Sequence, residues 1–203
     1  YMKYAVDQTG DGHADIWTST SDAIASTANY LKGYGWTPGL PWGIEVVVPE
    51  GFDHNLYRAS FSSFRSAGVR RADGGSLPSS GEARLFYPAG HTGPALLLTA
   101  NFDVIKKYNS SDAYALAVGH LGDQIMGRPA LQGDWPVKAP RLDKAGITDV
   151  QRRLKGLGLY NHDADGRIGT GTREAVRQYQ LRVGMLADGY PTPALLTRMK
   201  APR

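Results

Sequence analysis

The sequence predicts an α+β protein in which helices flank a small antiparallel β region and a small helical unit ends the chain. Three observations predict this class. Apolar residues recur at helical spacing over residues 19–34 and again after residue 111. From about residue 41 to about residue 100, short apolar runs alternate with Gly, Pro and Ser, which is typical of antiparallel strands joined by turns. Helical spacing then returns over residues 143–203.

The first helix is expected at residues 19–34, where Ser19 or Ser21 can cap its amino end and glycines mark its carboxyl end. Its apolar residues, at spacings of four and three, are Ile24, Ala28 and Leu31. The run GIEVVVP, residues 43–49, predicts a buried strand that closes at a proline. The runs ARLFYP and ALLL predict further strands of the β region.

Two helices are expected on the carboxyl side of the β region. One covers about residues 101–107, and the other starts at the cap pair Ser111 and Asp112. The apolar stripe of the second helix consists of Tyr114, Val118, Leu121 and Ile125. The run GRPALQGDWPVKAP holds three prolines and two glycines and predicts a linker at residues 127–142.

The chain thus divides into a core region at residues 1–126, the linker, and a compact helical unit at residues 143–203. Three helices are expected in the unit, the third beginning at Pro193, since proline is favoured in a first helical turn. The stripes of the first two helices are Val150, Leu154 and Leu157, and Thr172, Val176, Tyr179 and Val183. The segments DADGRIG and LADGYPT form a weak internal repeat of an Asp-Gly turn.

Composition limits the possible classes of protein. A chain of 203 residues with 41% hydrophobic and 21% charged residues is globular, and it contains no cysteine for disulfides, thiol catalysis or Cys-zinc sites. The net charge of +4 is uneven, because residues 141–203 carry 12 basic and six acidic groups. That unit suits an anionic partner. No helix-turn-helix, zinc-finger or RNA-binding signature is present, so we do not expect nucleic acid as a partner.

The stretch DQTGDGHADIW, residues 7–17, has part of the spacing of a calcium loop. An EF-hand loop supplies oxygen ligands from positions 1, 3, 5, 7 and 12 and has Gly at position 6. With Asp7 at position 1, the residues at positions 3, 5, 6, 7 and 9 are Thr9, Asp11, Gly12, His13 and Asp15. Position 12 is Thr18, and the next carboxylate belongs to Asp22, so only a longer loop could close on a metal ion. A polar Asp-Gly turn before a capped helix explains the same residues.

A second stretch, NHDADGRIGTGT at residues 161–172, fits the same pattern equally well. Asn161, Asp163, Asp165 and Gly166 stand at positions 1, 3, 5 and 6, and Thr172 again stands at position 12. Spacing alone therefore does not decide between a metal site and a turn in either loop.

Residues 150–196 resemble the three-helix peptidoglycan-binding domain found at the ends of many cell-wall enzymes. The matching elements are Val150–Gln151, Leu154, Leu157–Gly158, Asp165–Gly166, Ile168–Gly169, Thr172, Ala175–Val176, Gln180, Gly184 and Asp188–Gly189. The resemblance implies that the second Asp-Gly loop is a helix connection of this fold. It also implies that peptidoglycan glycan strands are the partner.

The first 140 residues resemble the C-terminal part of the MltB-type lytic murein transglycosylases. The matching segments are YAVDQTGDGHADIW, SDAIASTANYL, GWTPGLPWGIEVVVP and GPALLLTANFDVIKKYNSSDAYALAVGHLGDQI. The resemblance implies a lysozyme-like core with a β insertion at about residues 41–100. It also implies a structural calcium ion in an elongated EF-hand-like loop, residues 7–22, whose last acid lies on the following helix. The implied ligands are Asp7, Thr9, Asp11, His13 and Asp22.

The family cleaves the β-1,4 bond between N-acetylmuramic acid (NAM) and N-acetylglucosamine (NAG) without water. A glutamic acid protonates the leaving oxygen, and the muramic 6-hydroxyl closes a 1,6-anhydro ring. That acid lies in a Glu-Ser-x-Phe-Gly-like motif upstream of the calcium loop, and none of the four glutamates here stands in such a motif. We therefore expect no catalytic residue within this chain and no activity of this chain alone. We expect the catalytic half upstream of residue 1, in the same polypeptide or in a separate one.

The resemblance further implies four residues of the sugar cleft, namely Tyr30, Tyr108, Asn109 and Tyr114. Aromatic faces and amide groups suit sugar rings and acetamido groups. Core packing is the alternative for Tyr30 and Tyr114, because both lie near apolar stripes.

These observations predict a portion of a lytic murein transglycosylase in the periplasm or cell envelope of a Gram-negative bacterium. The alternative is a non-catalytic peptidoglycan-binding protein on the same scaffold.

Overall fold

The computed structural model describes residues 2–201 and confirms the α+β class. In that range the helices are α1 Thr20–Gly33, α2 Phe61–Ser66, α3 Ala100–Ile105, α4 Asp112–Ile125, α5 Lys144–Gly156, α6 Thr170–Arg182 and α7 Pro193–Lys200. The strands are β1 Gly43–Val47, β2 Arg58–Ser60, β3 Arg70–Arg71, β4 Glu82–Phe86 and β5 Ala95–Leu98. No helix between residues 2 and 201 has both the length and the apolar character that a membrane span needs.

The five strands form one antiparallel sheet in the order β2-β4-β5-β1-β3. At its centre, Leu97 of β5 pairs with Ile44 of β1 on one side and with Leu85 of β4 on the other. Leu97 belongs to the core that includes α2, whereas Leu96 and Leu98 belong to the core that includes α3. The ALLL run is apolar without interruption because both faces of β5 are covered.

The helix α4 packs on the core through its small residues. Ala115 is buried, and a Cβ added at Gly119 would lie 2.5 Å from Cδ2 of Trp42. Leu121 and Ile125, by contrast, are 60% and 76% exposed. Beyond Tyr114, which packs on the core, the predicted stripe is therefore not the buried face of the helix, because the Trp42 ring lies against the small residue Gly119.

The helix α1 packs through polar residues and not through its predicted apolar stripe. Ser19 caps it, as predicted, and Asp22 and Ser26 are buried. The Val6 amide donates to Ser26 Oγ at 2.9 Å, so the segment before the helix covers this face. Ile24 of the predicted apolar stripe is 66% exposed.

The C-terminal unit has its own core, and its internal repeat is structural. The core includes Val150, Leu154, Val176 and Leu195. In each repeat a buried glutamine accepts a hydrogen bond from a glycine amide at 2.8 Å and donates to an aspartate, at 3.2 Å in the first repeat and 2.7 Å in the second. The two sets are Gln151, Asp165 and Gly166, and Gln180, Asp188 and Gly189. Both glycines have a positive φ. The loop at residues 161–172, which shares the spacing of a calcium loop, is therefore a turn held by Gln151.

The predicted linker, residues 127–142, contains no helix or strand but lies against the sheet. The carboxylate of Glu45 on β1 accepts hydrogen bonds from the amides of Gln132 and Gly133, both at 2.7 Å. This segment is therefore attached to the core and is not a free spacer.

The C-terminal unit also contacts the core directly, mainly through α6. The Arg177 guanidinium lies 4.4 Å from the ring centre of Tyr57, and Arg173 donates to two backbone carbonyls after β4. At the Asp-Gly turn of the second repeat, residues 188–189, the Asp188 carboxylate accepts a hydrogen bond from the His91 amide at 3.0 Å. The unit is thus held against the core by side chains from α6 and from that turn.

Candidate functional site

The loop at residues 7–22 is built around two carboxylates. Asp7 accepts from the amide of Gly12 at 2.8 Å, where the backbone is left-handed with φ 87°. Asp22, completely buried in the first turn of α1, accepts from the amides of Gln8 at 2.8 Å and Asp15 at 3.0 Å. Backbone amides therefore close the loop onto the helix.

The expected calcium ligands do not form a cluster in this arrangement. Residues 2–201 contain no group of three His, Asp or Glu side chains that could hold a metal ion. The types of donor suit calcium, since the set offers carboxylate, hydroxyl and carbonyl oxygens: Asp7, Thr9, Asp11, His13 and Asp22. The carboxylates instead accept N–H groups of the loop, and the Gly12 amide lowers the pKa of Asp7. Each of these carboxylates has about four lone-pair sites, so an oxygen that accepts an amide keeps a lone pair for a cation.

The structure brings three of the expected sugar-cleft residues together, between α1 and the connection from α3 to α4. The Tyr30 hydroxyl donates to the Lys107 carbonyl at 2.9 Å. The Tyr108 ring lies 6.1 Å from the Tyr30 ring, edge to face, and 6.0 Å from the Tyr114 ring in a stacked arrangement. Tyr108 is 70% exposed, so these contacts hold an aromatic ring at the surface.

The fourth expected residue, Asn109, is exposed next to Tyr108 in the chain. Its Oδ1 accepts from the amide of Ser111 at 3.0 Å, which fixes the side chain just before α4. The carboxamide nitrogen is the donor that it can offer to a ligand.

Two tyrosines that the sequence reasoning missed extend the cluster. The Tyr34 ring is 4.6 Å from the Tyr30 ring, and the Tyr4 ring is 5.1 Å from it. A hydrogen bond with Tyr4 raises the pKa of Tyr34, which is 42% exposed. The spacing of four residues between Tyr30 and Tyr34 is a signal that could have found Tyr34. Tyr4 joins the cluster only through tertiary packing and has no such signal.

The four glutamates lie in settings that do not suit a general acid at neutral pH, which needs a carboxyl whose pKa is raised by burial. The Glu45 carboxylate accepts the two linker amides. Burial raises the pKa of Glu174, but hydrogen bonds, chiefly from Arg177, outweigh that effect and lower it overall. Glu50 and Glu82 are exposed.

Comparison with protein families gives two matches. Residues 1–123 match the family described as the transglycosylase SLT domain. Residues 143–199 match a peptidoglycan binding domain.

Three relatives illustrate the similarity. The membrane-bound lytic murein transglycosylase B of Escherichia coli K12 is 35% identical over 131 residues, which are 62% of this chain and 35% of that protein. SltB3 from Pseudomonas aeruginosa is 47% identical in its structure with NAG-anhNAM-pentapeptide and 48% identical in its structure with NAG-NAM-pentapeptide. Both matches cover 98% of this chain and 55% of that chain, with a TM-score of 0.84. The Escherichia coli transglycosylase Slt35 in complex with calcium is 31% identical and covers 62% of this chain and 40% of that chain, with a TM-score of 0.46.

The SltB3 match confirms the predicted lysozyme-like core with its small sheet and appended peptidoglycan-binding domain. The chain spans 55% of the length of SltB3 and 35% of the length of transglycosylase B.

Proposed function

The chain belongs to the SLT transglycosylase family, and from that premise we propose that it binds peptidoglycan glycan strands as part of a lytic murein transglycosylase. One observation of the structure carries the binding role: the Tyr108 ring, exposed at the surface, is stacked on Tyr114 and supported by Tyr30. Relatives that are named transglycosylases support this role over a purely wall-binding one.

In the proposed complex a sugar ring lies on the face of Tyr108, because the C–H groups of a pyranose pack well on an aromatic ring. The Asn109 carboxamide donates to an acetamido carbonyl. Tyr34, partly exposed beside Tyr30, extends the aromatic surface toward a second sugar. The bound NAG-NAM-pentapeptide of SltB3 supports a ligand of this class.

Calorimetric titration of the chain with NAG-NAM-pentapeptide tests the binding role. Tyr108→Ala should weaken binding about tenfold, the effect of losing about 1.4 kcal/mol from a central aromatic contact. Trp135→Ala, which removes a partly exposed aromatic ring from the linker, should leave the affinity within about twofold. Equal affinities of the parent chain and Tyr108→Ala would contradict the proposed site.

For the whole protein we propose non-hydrolytic cleavage of the NAM–NAG β-1,4 bond. A glutamic acid outside residues 1–203 donates its proton to the glycosidic oxygen as the bond to C1 of NAM breaks. The 6-hydroxyl of the same sugar then bonds to C1 and gives its proton to the glutamate carboxylate, which leaves NAG with a free 4-hydroxyl and NAM with a 1,6-anhydro end. The settings of the four glutamates within the chain support placing that acid elsewhere.

The polypeptide that carries the acid is proposed to cover the exposed apolar faces of α1 and α4. Ile24, Leu121 and Ile125 follow helical spacing yet face solvent, which is the pattern of an amphipathic helix whose partner is another segment. The share of SltB3 and transglycosylase B that has no counterpart in this chain supports such a segment.

Mass spectrometry of digested sacculi tests both proposals. The chain alone should release no anhydro-muropeptides, and adding the missing segment of a relative should restore their release. The pair Leu121→Glu and Ile125→Glu should reduce that restoration while binding of NAG-NAM-pentapeptide stays unchanged. Anhydro products from the 203-residue chain alone would show that the acid has been misplaced.

We also propose that the loop at residues 7–22 takes up a structural calcium ion through the five expected ligands. Their oxygen donors support this, and the amides that the carboxylates accept hold the loop close to the amino end of α1. The proposed location is the periplasm or envelope of a Gram-negative bacterium, where the proposed substrate lies.

A further inference from the structure

The connection from α3 to α4, residues 106–111, carries Tyr108 and Asn109 of the proposed glycan site. An ion pair between Lys106 and Asp112 closes this connection, with Nζ and Oδ1 2.5 Å apart. Both side chains are largely buried. The pair joins the residue at the end of α3 to the first residue of α4, and so limits the positions that Tyr108 can take.

The C-terminal unit holds this ion pair from outside the core. The Lys106 ammonium donates to Thr170 Oγ1, at the start of α6, at 2.6 Å. One turn later, Arg173 places its Nε 3.6 Å from Asp112 Oδ2. Lys106, Asp112 and Arg173, whose side chains are largely buried, and the exposed Thr170 therefore form one polar network that spans the two parts of the chain.

The guanidinium of Arg173 is itself held in place, mainly by groups of the core. It donates to the carbonyls of Tyr87 at 2.9 Å and Pro88 at 3.0 Å. It also lies 4.7 Å from the ring centre of Phe86 and 5.5 Å from that of Tyr190. A buried guanidinium with these partners has one position, and removing it would leave the buried Asp112 carboxylate with a single cation.

We propose that Thr170 and Arg173 of the peptidoglycan-binding unit are positioning residues for the glycan site, acting through Lys106 and Asp112 on Tyr108 and Asn109. The proposal rests on the proposed function of the tyrosine cluster. Under this proposal the peptidoglycan-binding unit supports the sugar site in addition to binding the wall. The contact between the unit and the core therefore affects the affinity for a short glycan.

Calorimetric titration of the 203-residue chain with NAG-NAM-pentapeptide tests this coupling. Arg173→Met should weaken binding about tenfold, since coupling within one polar network is commonly of this size. Arg177→Met is the matched control, because Arg177 lies one turn further along α6 and contacts Tyr57 in the same interface. It should change the affinity by less than about twofold.

A double-mutant cycle separates positioning from general loosening of the fold. In a Tyr108→Ala background, Arg173→Met should cause a much smaller loss than in the parent chain, because most of its effect passes through that ring and only the part that acts on Asn109 remains. Independent losses that multiply would overturn the proposal. If Arg173→Met does not fold, as judged by its melting curve, Thr170→Val removes the Lys106 acceptor more gently and should weaken binding about threefold.

The outcomes also distinguish this proposal from the proposed function. If Tyr108→Ala binds as tightly as the parent chain, the glycan site itself is wrong. If Tyr108→Ala binds weakly while Arg173→Met and Thr170→Val bind normally, the site stands and the positioning role is overturned.

Discussion

Replacing Gln151 with Leu should strongly destabilise the C-terminal unit. Among the glutamines of the unit, only Gln180, which has the same role in the second repeat, should be as sensitive. The Gln151 side chain is completely buried and bonds four groups of the first Asp-Gly turn and of α6. Leucine has a similar volume and fits the site sterically but bonds none of these groups.

The magnitude follows from the groups that lose a partner. The half-buried Gly166 amide loses its acceptor at 2.8 Å, which costs about 1–3 kcal/mol. The Arg167 carbonyl loses one donor at 2.9 Å but keeps the Thr172 hydroxyl at 3.2 Å, so it adds little. We expect a net loss of about 2 kcal/mol in the free energy of unfolding. A unit of about 60 residues has only about 3–9 kcal/mol in total, so its melting temperature should fall by about 8–16 °C.

Thermal and denaturant unfolding of residues 143–203, followed by far-ultraviolet circular dichroism, measures this effect. Gln178→Leu, on the more accessible side of α6, is the matched control and should change the free energy of unfolding by less than about 0.5 kcal/mol. Gln180→Leu should behave like Gln151→Leu, because the repeat gives it the same role. Equal stability of the Gln151 and Gln178 variants would refute the reasoning that the glutamines hold the turns.

Three further predictions concern pH, calcium and the wall. Burial lowers the pKa of His54 in the folded chain, so near pH 6.5 and below the unfolded chain binds a proton more readily. The free energy of unfolding should therefore decrease as the pH falls below about 6.5. The variant His54→Gln should show a smaller decrease. Calcium at 100 times its Kd should stabilise the chain by about 2.7 kcal/mol over chelator, and Asp22→Asn should remove the gain, whereas identical melting curves would argue against the ion. Residues 143–203 alone should sediment with purified sacculi, and unaltered sedimentation of a chain that lacks them would contradict a wall-binding role.

The sequence by itself determined the features that depend on neighbouring residues. Ser19 and Ser111 cap α1 and α4 as predicted, because a cap needs only a hydroxyl beside the first helical turn. The two Asp-Gly turns and the strand ALLL follow from local backbone preference and an uninterrupted apolar run. The resemblance implies Tyr30, Tyr108 and Tyr114 as residues of a sugar cleft, and the structure places their rings close together.

Only the tertiary structure decided which surfaces meet. The Trp42 ring packs against the small residue Gly119 of α4, and Leu121 stays at the surface. The spacing of apolar residues within the helix does not predict this choice. The Asp22 carboxylate accepts hydrogen bonds from backbone amides of the loop before it. Arg173 lies next to Asp112 although the two residues are far apart in the sequence. Such choices compare partners far apart in sequence, and they depend on volume, desolvation and hydrogen bonding at the place where those partners come into contact.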